Sequence, residues 1–344
     1  MLYLTTRDRF DTFTTPHALQ EDRAKNGGLY YPFRLPVMED SQLLELGEKG
    51  FSNTVAYLLN QFYGTKLSAW DIEFAIGRYP VKLSASKHRI LMAELWHNQE
   101  SNYDYIVRVL TDQLLPAGSK QTSWVLIGIR IAVLFGIYAE LLRSGAVDAE
   151  MQMDVAVMAG DFTAPMALHY ARQMGLPVAN IICGCNENSA LWDLLHIGEV
   201  KTDTPVVRTA IPLADFALSA EAERLICATL GVQEAEHFGK ICETGEVYSL
   251  TDAQQETLRK GMFAAVVSSK RLHDVIPSVY RTTGYILGPY SALAYGALLD
   301  YRAKTGENRP VLLLADRCPT LDADAVSAAM QMDISQWENL LRKN

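Results

Sequence analysis

The sequence predicts an α/β protein with a mostly parallel sheet flanked by helices, preceded by a helical amino-terminal extension. Two observations carry this. Short apolar runs at 155–158, 178–183 and 311–315 have the length and all-round hydrophobicity of strands covered on both faces. The first two flank a stretch of helical periodicity, and two buried strands joined through one helix make a right-handed parallel crossover.

That crossover is the centre of the chain. Val155, Ala156, Val157 and Met158 form its first strand, and Gly160 breaks the run. Asp161 or Thr163 caps the next helix, Pro165 suits its first turn, and Leu168, Ala171 and Met174 give an apolar stripe. Gly175 and Pro177 stop it, the second strand follows, and Asn186, Glu187, Asn188 and Ser189 open a further helix reaching Leu195. Ligands of such sheets collect beyond the carboxyl ends of the strands, here 160–163 and 184–188. The first of these is also a helix amino terminus behind a glycine, where an anion such as phosphate can sit. The same residue types serve merely to turn and cap.

At 344 residues the chain can bury a large core, and its 49% hydrophobic and 21% charged content is that of an ordinary globular protein. A net charge of -9 leaves no basic surplus for nucleic acid or an anionic membrane. The five cysteines, 183, 185, 227, 242 and 318, suit a reducing cytoplasm, and the spacing of Cys183 and Cys185 reads as buried thiols, with no metal expected. The first 17 residues lack the pattern of a signal peptide. The segment 124–142 has membrane-spanning length, but Arg130 at its middle would cost about 2.5–3.5 kcal/mol in a bilayer. It is expected as a buried helix with Arg130 paired or reaching an edge.

In chain order, 2–5 reads as a strand, and 26–36 (NGGLYYPFRLP) as an ordered loop because its two prolines forbid a helix. Helical segments at 41–46, 53–62 and 68–76 complete an amino-terminal region, 1–90, packed on a main α/β body, 91–344. A strand over 90–96 ends at His97, and a helix spans 105–115. Beyond the crossover, 202–211 is a polar connection, with helices over 214–230 and 252–269 and a turn at 243–246 between them. After a break at 284–289 come a helix over 290–304, a strand over 311–315, and helices at 323–330 and 334–341.

Several stretches, in this order, resemble threonine synthase, a pyridoxal-phosphate enzyme of the tryptophan synthase β fold type. NGGLYYPFRLP is similar to that family's early Asn-Gly-Gly-Leu-Tyr-x-Pro loop, and AELWHNQESNYDY (93–105) to its Glu-Leu-Phe-His-Gly-Pro-Thr-x-x-Phe-Lys-Asp segment. Gly160-Asp161-Phe162 and Asn186-Glu187-Asn188 resemble its Ser-Gly-Asn-Phe-Gly unit and the Thr-Asn-x-Asn that follows. The stretches 288–295 and 314–319 resemble its Asp-Pro-His-x-Ala-Val-x-Tyr helix and closing Thr-x-His-Pro. The resemblance spans nearly the whole chain.

The departures bear on chemistry. The family's Schiff-base lysine falls at Asp104, or in a one-residue deletion beside it, and a carboxylate cannot form an imine. Leu115 leads almost directly into the helix at 124, so the family's small mobile lobe is missing; Thr163 replaces a glycine of the phosphate turn, and Asp316 and Cys318 alter the last motif. The resemblance therefore implies a reduced form of the fold with no bound cofactor and no catalytic residue, a pseudoenzyme. The alternative is an active lyase making threonine from O-phosphohomoserine with a displaced lysine, Lys87 or Lys120. If a ligand site survives, its candidates are His97, Gly160, Asp161, Phe162, Thr163, Asn186, Glu187, Asn188 and Asp316, and its ligand is phosphate-like or amino-acid-like. Loss of the lobe would uncover apolar surface and favour a homo-oligomer.

Overall fold

A computed structural model of the chain describes residues 1–78, 81–86 and 89–341. β1 (Leu2–Thr5) and β2 (Asp8–Thr14) pair antiparallel, α1 (Thr15–Gln20) follows, and β3 (Tyr30–Pro32) joins the other side of β1. The loop ahead of β3 is the glycine pair read from sequence, with Gly27 at φ +80. Next come α2 (Asp40–Tyr63) and α3 (Ala69–Ile76). Within 40–63 the two helices expected at 41–46 and 53–62 meet at Gly50, whose non-helical backbone (φ +77) breaks the run and where Glu140 accepts from the freed Phe51 amide at 2.9 Å.

The main sheet is built from β4 (Lys82–Ser86), β5 (Ile90–Glu94), β6 (Met153–Met158), β7 (Val178–Cys185), β10 (Met262–Val266) and β11 (Val311–Ala315). Its order is β10-β7-β6-β11-β5-β4, parallel throughout except for the antiparallel β4–β5 edge. Between β5 and β6 lie α4 (Tyr103–Val109), a π turn (Leu110–Leu114) and α5 (Ser123–Arg143). The chain crosses from that turn to α5 in eight loop residues, 115–122. α6 (Thr163–Gln173) links β6 to β7 as the crossover predicted, and α7 (Ala190–His196) follows. A small ribbon of β8 (Glu199–Lys201) and β9 (Val247–Ser249) brackets α8 (Glu221–Leu230) and α9 (Val232–Thr244). α10 (Asp252–Arg259), α11 (Ser269–Thr283), α12 (Pro289–Thr305), α13 (Ala323–Met330) and α14 (Ile334–Leu341) complete the chain.

α5 is long and apolar enough to cross a membrane, yet 83% of its most apolar stretch is buried, and it packs against α2 and α6. Gly136 permits the α2 contact: a Cβ there would meet the Phe51 ring at 2.7 Å. Two expectations from sequence are corrected. The helix read over 214–230 begins only at Glu221, because Pro212 starts a 3-10 turn and Asp215 is drawn into side-chain bonds with Asn186 and Thr209. The helix read over 252–269 ends at Arg259; Gly261, at φ +70, turns the chain into β10, whose apolar run helical periodicity had absorbed.

Candidate functional site

The turn after β6 is held on every side. The Ala159 amide donates to the Gly184 carbonyl at 2.9 Å, joining the ends of β6 and β7. Gly160 (φ +47) and Phe162 (φ +63) both take left-handed conformations, the second unusual for a bulky residue. The Phe162 amide donates to Ala159 at 2.8 Å and the Thr163 amide to Asp161 Oδ1 at 3.0 Å, while Ser219 Oγ donates to the Asp161 carbonyl. Asp161 thus places its own carboxylate at the α6 amino terminus, where the helix dipole favours negative charge and where an incoming anion would have to sit.

At the end of β7, Asn186 and Asn188 bond to the 207–215 loop. Asn186 Nδ2 donates to Asp215 at 2.7 Å, and its oxygen accepts from the Asn188 amide at 2.9 Å. Asn188 in turn makes a two-way bond with the Val207 backbone, at 2.8 and 2.9 Å. Asp215 also accepts from Thr209 N at 2.8 Å and Thr209 Oγ1 at 2.7 Å. These side chains pin the 207–215 loop to the sheet. Glu187 accepts from Ser269 N at 2.7 Å at the start of α11, while its other oxygen is buried without a hydrogen bond. In the structure Asn186 and Asn188 anchor the 207–215 loop, and Glu187 holds the start of α11 through one of its two oxygens.

The carboxyl ends of β5, β6 and β11 do converge. Arg130, buried midway along α5, donates to Asp316 at 2.6 Å and lies 3.7 Å over the Tyr103 ring. Burial works against its charge, but Asp316 and Tyr103 more than offset this and hold the guanidinium above its ordinary value. The Tyr103 amide bonds the Asp316 carbonyl at 2.7 Å, and Asn102 caps α4 through Tyr105 N at 3.0 Å. Asp104 stands in that first helical turn, facing the fields of Arg130, Asp316, Arg317 and Asp161. Desolvation by the surrounding wall lifts its carboxyl, and Arg130 opposes the lift. The Arg130–Asp316 pair therefore stands where these strand ends meet, with Arg130 Nε, Asp316 Oδ1 and Tyr103 OH buried and without hydrogen-bond partners. Sequence reasoning had the signal for it, a single cation inside an apolar helix, but not the partner.

His97 belongs elsewhere. Its Nε2 lies 2.6 Å from Glu94, and its ring stacks on Trp96 at 4.0 Å. It lines a separate cavity with Phe51, Arg78, Lys82 and Glu140, none of them on the strand ends that carry Asp161 and Asp316. In the structure His97 stands just past the end of β5, bonded to Glu94. Lys120 is exposed in the 115–122 loop, its amide bound to Leu19, and Lys87 lies outside the described residues.

The family model described as "Threonine synthase N terminus" matches residues 2–78. "Threonine synthase-like 1" of Homo sapiens is 29% identical over 161 residues, 46% of this chain and 22% of that protein. "Threonine synthase" of Methylobacillus glycogenes is 24% identical over 246 residues, 66% of this chain and 49% of that one. The matches thus span about a fifth to a half of these relatives' own lengths. Among solved structures, pyridoxal-phosphate-bound threonine synthase from Brucella melitensis superposes with TM-score 0.82 at 19% identity, over 97% of this chain and 92% of that one. The yeast enzyme gives 0.77 at 15%, over 96% and 90%. Residues 2–78 thus match a threonine synthase amino-terminal domain, and the chain as a whole has the fold of the threonine synthases.

Proposed function

We propose that this protein is a threonine synthase-like pseudoenzyme that works by binding, to a small molecule or to a partner chain, and takes up no pyridoxal phosphate. The observation that carries the reading is Asp104: by the resemblance, the family's imine-forming lysine falls at this carboxylate or in a one-residue deletion beside it, next to a buried Arg130–Asp316 pair. The surrounding residues do not suit the cofactor. Its phosphate would meet Asp161, whose carboxylate already takes the Thr163 amide, and its ring would compete with the guanidinium stacked over Tyr103. Direct passage from the π turn to α5 through 115–122 supports a missing mobile lobe. The reading includes a cytoplasmic location, which suits five free thiols, and self-association through surface left by that lobe.

A displaced lysine gains no support from Lys120, which is exposed in the loop beyond the π turn and tied by its backbone to Leu19. The test is turnover. With O-phosphohomoserine and added pyridoxal phosphate, neither threonine nor phosphate is released. Release that disappears in Lys120→Ala or Lys87→Ala would establish the lyase instead.

A further inference from the structure

β10 is the edge strand of the main sheet on the side opposite β4, and its outer flank takes no part in the Asp104–Arg130 cluster. α7 packs on one face of it and α12 on the other. His196, at the end of α7, reaches round the strand: its Nε2–H donates to the Ala264 carbonyl at 2.9 Å, and Nδ1 makes no hydrogen bond among the described residues. The His196 ring lies 5.2 Å from Trp192 and edge-on to Phe263 at 5.7 Å, and Phe263 meets Tyr301 of α12 at 5.4 Å. Four rings thus run in contact from α7 across the strand to α12. They floor a groove of two joined hollows, about 710 and 1100 Å³, that share His196 and Phe263.

The charges around this groove are cationic and arrive from separate elements. Arg259 and Lys260 come from the turn between α10 and β10, and Lys304 from α12 lies 5.8 Å over the Phe263 ring. Among the described lining acids, Asp300 is spent on Arg271 at 2.5 Å and Glu307 on Arg309 at 3.4 Å, which leaves Glu256 alone facing the three cations. Behind the same turn, half-buried Arg172 donates to the Gly261 and Lys260 carbonyls at 2.9 and 3.4 Å and meets no carboxylate among the described residues. Burial, and after it the fields of Lys304 and Arg259, hold the His196 imidazole below its ordinary value against the Ala264 bond, so both cations stand near the ring. A positive edge on a chain of net charge -9 marks the place where this surface attracts an anion.

We propose that this groove binds a phosphorylated aromatic small molecule of about mononucleotide size. The flat body lies on the half-buried rings of Trp192, His196 and Phe263, and Arg259, Lys260 and Lys304 take the phosphate. A free phosphate would meet only exposed cations whose pull water screens, and an uncharged ring only an open platform, so each half of the ligand needs the other. The proposal stands apart from the cofactor question, since no lining residue belongs to the Asp104 and Arg130 cluster.

Titration calorimetry of the full chain with adenosine monophosphate, adenosine and glycerol 1-phosphate tests it, with imidazole NMR of His196 assigned through His196→Gln. The nucleotide binds at least about tenfold more tightly than either fragment and shifts the His196 resonances. Lys304→Gln and Arg259→Gln, both at exposed positions, each weaken the nucleotide about threefold or more and leave the thermal midpoint in place, and Lys260→Gln supplies a third variant should either fail to fold. Adenosine or glycerol 1-phosphate binding as tightly as the nucleotide, nucleotide binding untouched by these substitutions, or no heat and no His196 shift at millimolar nucleotide would overturn it.

Discussion

Arg130 sets the character of the strand ends at the scale of single side chains. Placed in the middle of an apolar helix, it needs a carboxylate, and Asp316 supplies one across 186 residues of sequence. Removing the acid leaves the buried cation uncompensated. Asp316→Ala should therefore lower stability by about 2 kcal/mol, more than Arg130→Met, which leaves a partly exposed aspartate. Urea unfolding of the two variants checks the asymmetry. Restoring an amine should not restore the cofactor, because Asp161 still occupies the turn: Asp104→Lys with pyridoxal phosphate gives no imine absorbance. A second residue-scale effect comes from His169, which burial holds down at about 4, with Arg172 pressing the same way. The unfolded chain takes up this proton near 6.5 and the folded chain only near 4. The folded state therefore loses up to about 3 kcal/mol as pH falls through that window, and nothing from this group above it. In His169→Gln the loss between pH 7 and pH 4 should be smaller by about that amount, read as the difference in urea midpoints. That Arg130 would be paired or reach an edge was legible in the sequence; the cap expected of Asp161 or Thr163 was not, since Phe162 takes the cap position and Asp161 accepts from the Thr163 amide one residue ahead of it.

At the scale of elements, the crossover β6–α6–β7 was readable because its apolar runs, glycines and cap sit within about thirty residues. The 207–215 loop was not. Its geometry is imposed by Asn186 and Asn188 through Asp215, and no local pattern at 214–220 announces that contact. Nor was β10, since Met262–Val266 is too short to separate strand from helix by periodicity alone. Asp215→Ala strands the donors of Asn186 and Thr209. It should cost about 2–4 kcal/mol and raise hydrogen exchange over 202–219 while leaving β1–β3 protected. Gly184 lets β7 lie against α12: a Cβ there would run into the Leu293 carbonyl, so Gly184→Ala should yield little folded protein, measured as soluble yield and thermal midpoint.

At the scale of the whole molecule, the threonine synthase fold is kept with an arginine–aspartate pair at its strand ends. The nine residues expected to share one cleft divide between a capped turn, a loop anchor, an ion pair and a separate cavity, because side-chain bonding across the sheet decides which way each one points. The stacked and exposed pair Trp70 and Phe74 on α3, beside the π turn that leads directly into α5, gives self-association an apolar surface. Light scattering should return a dimer or larger, and a monomer at every concentration would remove that part of the reading. The most direct test of the whole account is reductive trapping: incubate the purified chain with excess pyridoxal phosphate, dialyse, reduce with borohydride, and map the peptides by mass. The account predicts no stoichiometric pyridoxyl-lysine anywhere in the chain. One such adduct at a single lysine, with its absorbance band, would contradict it.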